Sequence, residues 1–160
     1  MATEVKAPGH ASLHSLFRLA NMSKAEAYLF ADISRYVLTF QDTHVLLNDK
    51  EFNDEHGILS TDILHLDEYG LVDSSGTLGW SQKLNPSTPF RIVYGEEQLE
   101  IYGEREAQEI QIQVFTLKEA GETLWPIVEK QYIPTYLEDV RRFLSRDHGN
   151  LRMVITRRTP

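Results

Sequence analysis

Between Ser12 and Phe40 the chain carries the pattern that leaves it least freedom of fold: two apolar stripes at helical spacing, separated by a helix-start signal. Leu13, Leu16, Phe17 and Ala20 recur at intervals of three and four, which predicts a helix from about Ser12 to Ala20 with that stripe buried. Ser23 followed by Glu26 forms a capping box, in which a hydroxyl and a carboxylate satisfy two amides that a helix start leaves without partners. Leu29, Ile33, Tyr36 and Phe40 then share one face of a second helix, and Ala27, Phe30 and Val37 widen it. So broad an apolar face makes this helix central. Residues 36–40 fit either the end of the helix or the start of a strand, and Thr43 to Leu47 reads as a short strand.

Downstream, the polar stretch from Asn48 to Gly57 reads as a loop, and Ser60 or Thr61 as the cap of a helix containing Ile63, Leu64, Leu66 and Tyr69. Gly70 suits a left-handed C-terminal residue, Leu71 can fold back over the last turn, and residues 73–76 form a turn. A short strand is expected within Thr77 to Leu84, then a loop with Pro86 and Pro89, which cannot donate to a central ladder. Phe90, Ile92 and Tyr94 alternate with other residues, as do Leu99, Ile101, Ile110, Ile112 and Val114, so strands surround turns at Gly95-Glu96 and Gly103-Glu104. Thr116 with Glu119 offers a capping box for another helix, which Pro126 must kink or end. Pro134 opens a final helix through about Leu144, with Leu137, Val140 and Leu144 on one side and Glu138 in reach of Arg141 or Arg142. Leu151 to Thr156 can add a last strand. The fold class is α+β, and Leu16, Leu29, Phe30, Ile33, Leu66 and Leu124 are expected in one core.

Three strings carry a resemblance. Pro8-Gly9 precedes Ser12-Leu13, Met22-Ser23 precedes Glu26-Ala27 and Phe30, and Leu117 precedes Gly121 and Leu124. Together they resemble a bacterial family described as domain of unknown function 2806, over roughly Glu4 to Leu124. The resemblance implies a winged-helix-like α+β domain: N-terminal helices, an elaborated antiparallel β wing and C-terminal helices. It places a remnant of a longer helix at residues 1–11, so that the chain is a fragment or a shortened member. A single domain over 12–146 and a basic tail over 147–160 follow. Lys118 departs from the family pattern, which has a capping Thr there. No activity comes with the family.

Composition narrows the function classes. The chain has 160 residues, no cysteine and a net charge of −8, so disulfides, thiolate metal sites and a cysteine nucleophile are excluded together. No apolar run approaches the roughly 20 residues that cross a bilayer, and no secretory signal opens the chain, so no membrane role and a cytoplasmic location are expected. Paired carboxylates are frequent, but no nucleophile elbow, phosphate-binding loop or dinucleotide fingerprint is present, so the expectation is a non-enzyme without a cofactor, with a small hydrolase as the third reading. His10 and His14 have metal-ligand spacing, yet the Pro8-Gly9 corner separates them and no acid completes a set.

Charge is unevenly spread. Glu96, Glu97, Glu100, Glu104, Glu106 and Glu109 face only Arg105, whereas Arg141, Arg142, Arg146, Arg152, Arg157 and Arg158 face only Asp147. The two runs are either solvated surface or complementary halves that dock within or between chains. The leading reading is a protein-interaction or scaffolding module, meeting another chain through Asp62, His65, Asp67 and Glu68 and the acidic Glu96, Glu97 and Glu100. The alternative is a nucleic-acid-binding regulator, or self-association, through Arg141, Arg142, Arg152, Arg157 and Arg158. DNA binding through the helix at 60–69 is disfavoured, because Ser60 to Gly79 contains no Lys or Arg while phosphate contacts supply most non-specific affinity. A titration at physiological salt should therefore give duplex-DNA dissociation constants weaker than about 10⁻⁶ M; nanomolar, sequence-dependent binding would promote the regulator.

Overall fold

The computed structural model describes residues 12–77 and 79–160. The expected arm at 1–11, the Pro8-Gly9 corner and His10 lie outside the described residues, as does Leu78. The fold is α+β, with six helices and eight antiparallel strands among the described residues. In chain order these are α1 (Leu13–Ala20), α2 (Lys24–Ser34), β1 (Leu38–Phe40), β2 (Thr43–Leu47), α3 (Lys50–Glu55), α4 (Ser60–Glu68) and β3 (Val72–Asp73), followed by β4 (Gly79–Leu84), β5 (Phe90–Tyr94), β6 (Glu97–Tyr102), β7 (Gln108–Leu117), α5 (Glu119–Leu124), α6 (Tyr136–Asp147) and β8 (Arg152–Arg157). The sheet runs β3-β7-β2-β1-β5-β6-β8, and β4 also pairs with β7. No described helix is long and apolar enough to cross a membrane.

Side-chain alternation divides the sheet into two faces with a core on each. In β2, Val45 and Leu47 join one apolar cluster and Leu46 the other, so the strand is buried on both sides. The long β7 does the same: Ile110, Ile112 and Val114 belong to the first cluster, and Phe115 and Leu117 pack with the second. Helix α6 covers the first face through Tyr136, Leu137, Val140 and Leu144, as its stripe predicts. Helices α2, α4 and α5 cover the second through Phe30, Ile33, Ile63, Leu66 and Ala120.

Several local signals act as expected. The Ser23 amide donates to Glu26 at 2.8 Å, completing the capping box at the start of α2. Gly70 adopts φ +71, while Gly70 N–H reaches Asp67 O at 2.8 Å and Leu71 N–H reaches Leu66 O at 2.9 Å, the two bonds of a Schellman end. Gly95, at φ +62, turns the β5–β6 hairpin.

Other expectations are corrected. Phe30, Ile33 and Leu66 share a core with Leu29 and Leu124 half-buried against it, but Leu16 is 49% exposed and belongs to no core. The spacing of α1 is helical, yet the face turned inward is the one bearing Ser15. Of the two readings open at residues 36–40 the strand is the one observed for Leu38 to Phe40, which pair with β2, Thr39 and Phe40 also pairing with β5. The segment read as a loop contains α3, whose Asp49 carboxylate accepts from Phe52 N–H at 2.9 Å. Ser60 and Thr61 lie inside α4; its N-cap residue is Leu59, whose amide donates to Asp62 at 3.3 Å. Thr116 is strand, paired with Val45 and Asp73, so α5 begins after Lys118 without a side-chain cap. The last strand expected at Leu151 to Thr156 is present as β8, within the segment read as a basic tail, and β6 holds it along its whole length.

Among the described glycines, Gly121 has the tightest backbone approach. A Cβ there would stand 2.1 Å from the backbone oxygen of Leu71, so α5 lies directly on the chain leaving α4. Lys118 N–H donates to that same oxygen at 3.0 Å. Gly121→Ala should therefore destabilise by about 1–3 kcal/mol, although alanine is the better helix former. The urea midpoint checks this; an unchanged or higher value would mean that α5 can shift freely.

Candidate interaction surfaces

The acidic helix α4 spends most of its charge inside the molecule. Asp62 caps its own helix at Leu59. His65 Nε2 lies 3.2 Å from Glu26 Oε1, so the carboxylate that caps α2 also ties α2 to α4. Asp67 accepts from Ser74 N–H at 2.9 Å and pairs with Lys118 at 2.5 Å, joining α4 to β3 and to the start of α5. Only Glu68 points its carboxylate well into solvent, and its backbone oxygen accepts from Arg18 at 3.3 Å.

The two charge runs meet within one chain. Strand β6 pairs with β8 in a register that sets Glu97 against Arg157 and Glu100 against Val154. Arg158 N–H donates to Glu96 O at 2.8 Å. Glu100 accepts from Thr156 at 3.1 Å and pairs with Arg91 at 3.3 Å. Arg152 lies over the Tyr102 ring, 3.8 Å from its centroid. Arg141 and Arg142 both pair with Glu138 one turn earlier in α6. Of the five candidate arginines, Arg157 alone has no ion pair, ring or hydrogen-bonding contact of its side chain among the described residues.

One half-buried histidine lies beside a cavity and an acid. His56 Nδ1 is 2.7 Å from Phe52 O and Nε2 is 3.0 Å from Asp139 Oδ2, beside a cavity of about 270 Å³ that Arg142 and Arg146 also line. Both ring nitrogens are turned to oxygens of the fold, Phe52 O and Asp139 Oδ2, so the ring is engaged within the structure on both sides. The pair joins α3 to α6.

The surface that sequence reasoning placed wrongly is on α1. Leu13, Leu16 and Phe17 are 86%, 49% and 68% exposed, whereas Ser15 is 2% exposed. Ser12 caps the helix and accepts from Ser15 N–H at 3.1 Å. Arg18, one turn on, lays its side chain against Gly70, where a Cβ would meet its Cδ at 3.0 Å. These polar residues and Leu19 hold α1 to the body, and the apolar stripe faces outward. The spacing predicted the stripe correctly but carries no sign for inside or outside. The signal that could have found it is Ser12-x-x-Ser15-x-x-Arg18, a second stripe able to bond to backbone.

Electrostatics in this region is dominated by Asp67. Burial pushes its carboxyl up, but hydrogen bonds from Lys118 and Ser74 and the attraction of the Lys118 ammonium outweigh this and hold it down at about 2. A carboxyl depressed in the fold stabilises above its unfolded value, 3.8, and that contribution disappears as pH falls toward 2. Unfolding measured across pH 4 to 2 should show stability falling, and Asp67→Asn should flatten that slope. An identical slope in the variant would remove Asp67 from the acid response.

A family model described as protein of unknown function (DUF2806) matches residues 1–141. No curated protein and no solved structure matches the chain.

Proposed function

We propose that this chain, which belongs to that family of unknown function, is a non-catalytic protein-interaction module of the bacterial cytoplasm whose docking element is α1. The observation that carries the reading is the outward stripe Leu13, Leu16 and Phe17 on a helix whose polar side is the one packed. Contiguous exposed apolar surface on an element otherwise well held is the ordinary mark of a contact surface. Between Ser12 and Met22 the chain carries Arg18 and no acid, so α1 is a locally positive stretch on a molecule of net charge −8. A partner helix with an apolar stripe and acidic flanks fits such a surface, while a second, equally acidic copy gains nothing from charge.

This replaces the surface expected on α4, because Asp62, His65 and Asp67 are occupied within the fold. The nucleic-acid alternative has less support, since Arg141 and Arg142 share Glu138 and Arg152 rests on Tyr102.

Leu16→Asp with Phe17→Asp should leave the unfolding free energy within about 0.5 kcal/mol of wild type, as exposed sites do, whereas Phe30→Ala should cost about 3–5 kcal/mol. With a photo-crosslinking residue at position 20 in the producing cell, the wild type should give one discrete protein adduct and the double variant none. An adduct unchanged in the folded double variant, or no protein adduct in wild type, overturns the reading.

A further inference from the structure

The edge of the sheet at β8 is built differently from the edge at β3. Strand β3 has only two residues, whereas β8 pairs with β6 over six consecutive positions, Arg152 to Arg157, without a bulge. No described strand lies on its outer side. In an antiparallel strand the amide and carbonyl of one residue point the same way, and neighbours alternate. Arg158 N–H points to Glu96, so Arg152, Val154 and Thr156 also point to β6, and Met153, Ile155 and Arg157 aim their backbone groups outward. Three residues thus present donors and acceptors in a straight row. The side chains favour pairing too, since Val154 and Ile155 are β-branched and Val154 is 39% exposed.

We propose that the free edge of β8 is a strand-addition site for an extended acidic segment of another protein. Charge selects the occupant. Arg152, Arg157 and Arg158 bracket the row, and the strand that β8 already accepts, β6, is acidic, with Glu97 opposite Arg157. A second copy is disfavoured by the same charges. Pairing two copies antiparallel about Ile155 sets Arg152 of each opposite Arg158 of the other, like charge against like. Main-chain bonds supply affinity in such an addition, and the flanking charges supply choice of partner. The site is remote in sequence from α1 and stands or falls independently of it.

The test uses the full chain, isotope-labelled, and a capped synthetic peptide with the sequence of residues 96–102, beside a control peptide whose three glutamates are replaced by lysine. Addition of the acidic peptide should shift the amides of β8 and slow hydrogen exchange at Met153, Ile155 and Arg157, while Arg152, Val154 and Thr156 are slow with or without it. The lysine peptide should bind on the order of tenfold more weakly, and raised salt should narrow the gap. Arg152→Glu with Arg157→Glu should reverse the preference; if that variant does not fold, the salt dependence of the wild type decides instead. The proposal is overturned by absent shifts at millimolar peptide, by shifts without slowed exchange at the three outward amides, or by equal response to both peptides. A peptide-free dimer joined at β8 overturns it in favour of a second copy.

Discussion

The constraint on which the structure rests is that β2 and the end of β7 are buried from both sides. A strand covered on one face can leave its alternate residues polar, but Val45, Leu46 and Leu47 are all withdrawn from water. The sheet must therefore be covered twice. Helix α6 supplies one cover, and α2, α4 and α5 supply the other. The amphipathic spacing of each helix has a sheet face waiting for it, with one exception. Helix α1 has no sheet beneath it, only the end of α4 and the neighbouring α5, and what it needs there is a row of small and polar contacts.

A second layer of organisation is electrostatic and joins helices to one another. Glu26 caps α2 and reaches His65 on α4; Asp67 on α4 reaches Ser74 and Lys118; His56 after α3 reaches Asp139 on α6. Each pair links elements distant in sequence and occupies side chains that would otherwise look available to a partner. Lys118 belongs to this set. A threonine could cap α5 from that position but could not reach Asp67 as an ion pair. The exposed charges worth most to a partner are consequently few, and the strongest unspent surface is apolar on α1 and main-chain on β8.

The opposite charge runs show how tertiary structure resolves an ambiguity that composition leaves open. Six acids in one stretch and six arginines in another are compatible with solvated surface, with association and with internal pairing. Strand pairing of β6 with β8 brings the ends of the two runs side by side in one chain and leaves the far edge of β8 basic.

What was legible in the sequence is whatever depends on neighbours along the chain. The capping box at Ser23, the Schellman end at Gly70, the turn at Gly95, the alternating strands and the stripe of α6 all arise from interactions within a few residues, so their spacing encodes them. Helix α3 was missed because six residues are too few for periodicity to emerge, and its start signal, Asp49, lay in a polar stretch. What only the tertiary structure decided is direction and partnership. Periodicity gives a helix two faces without saying which one meets the body, and for α1 the answer depended on Gly70 and Glu68, some fifty residues away. The same holds for β8: six residues of strand propensity mark a strand, but whether it is an edge depends on how many other strands have already taken their places in the sheet.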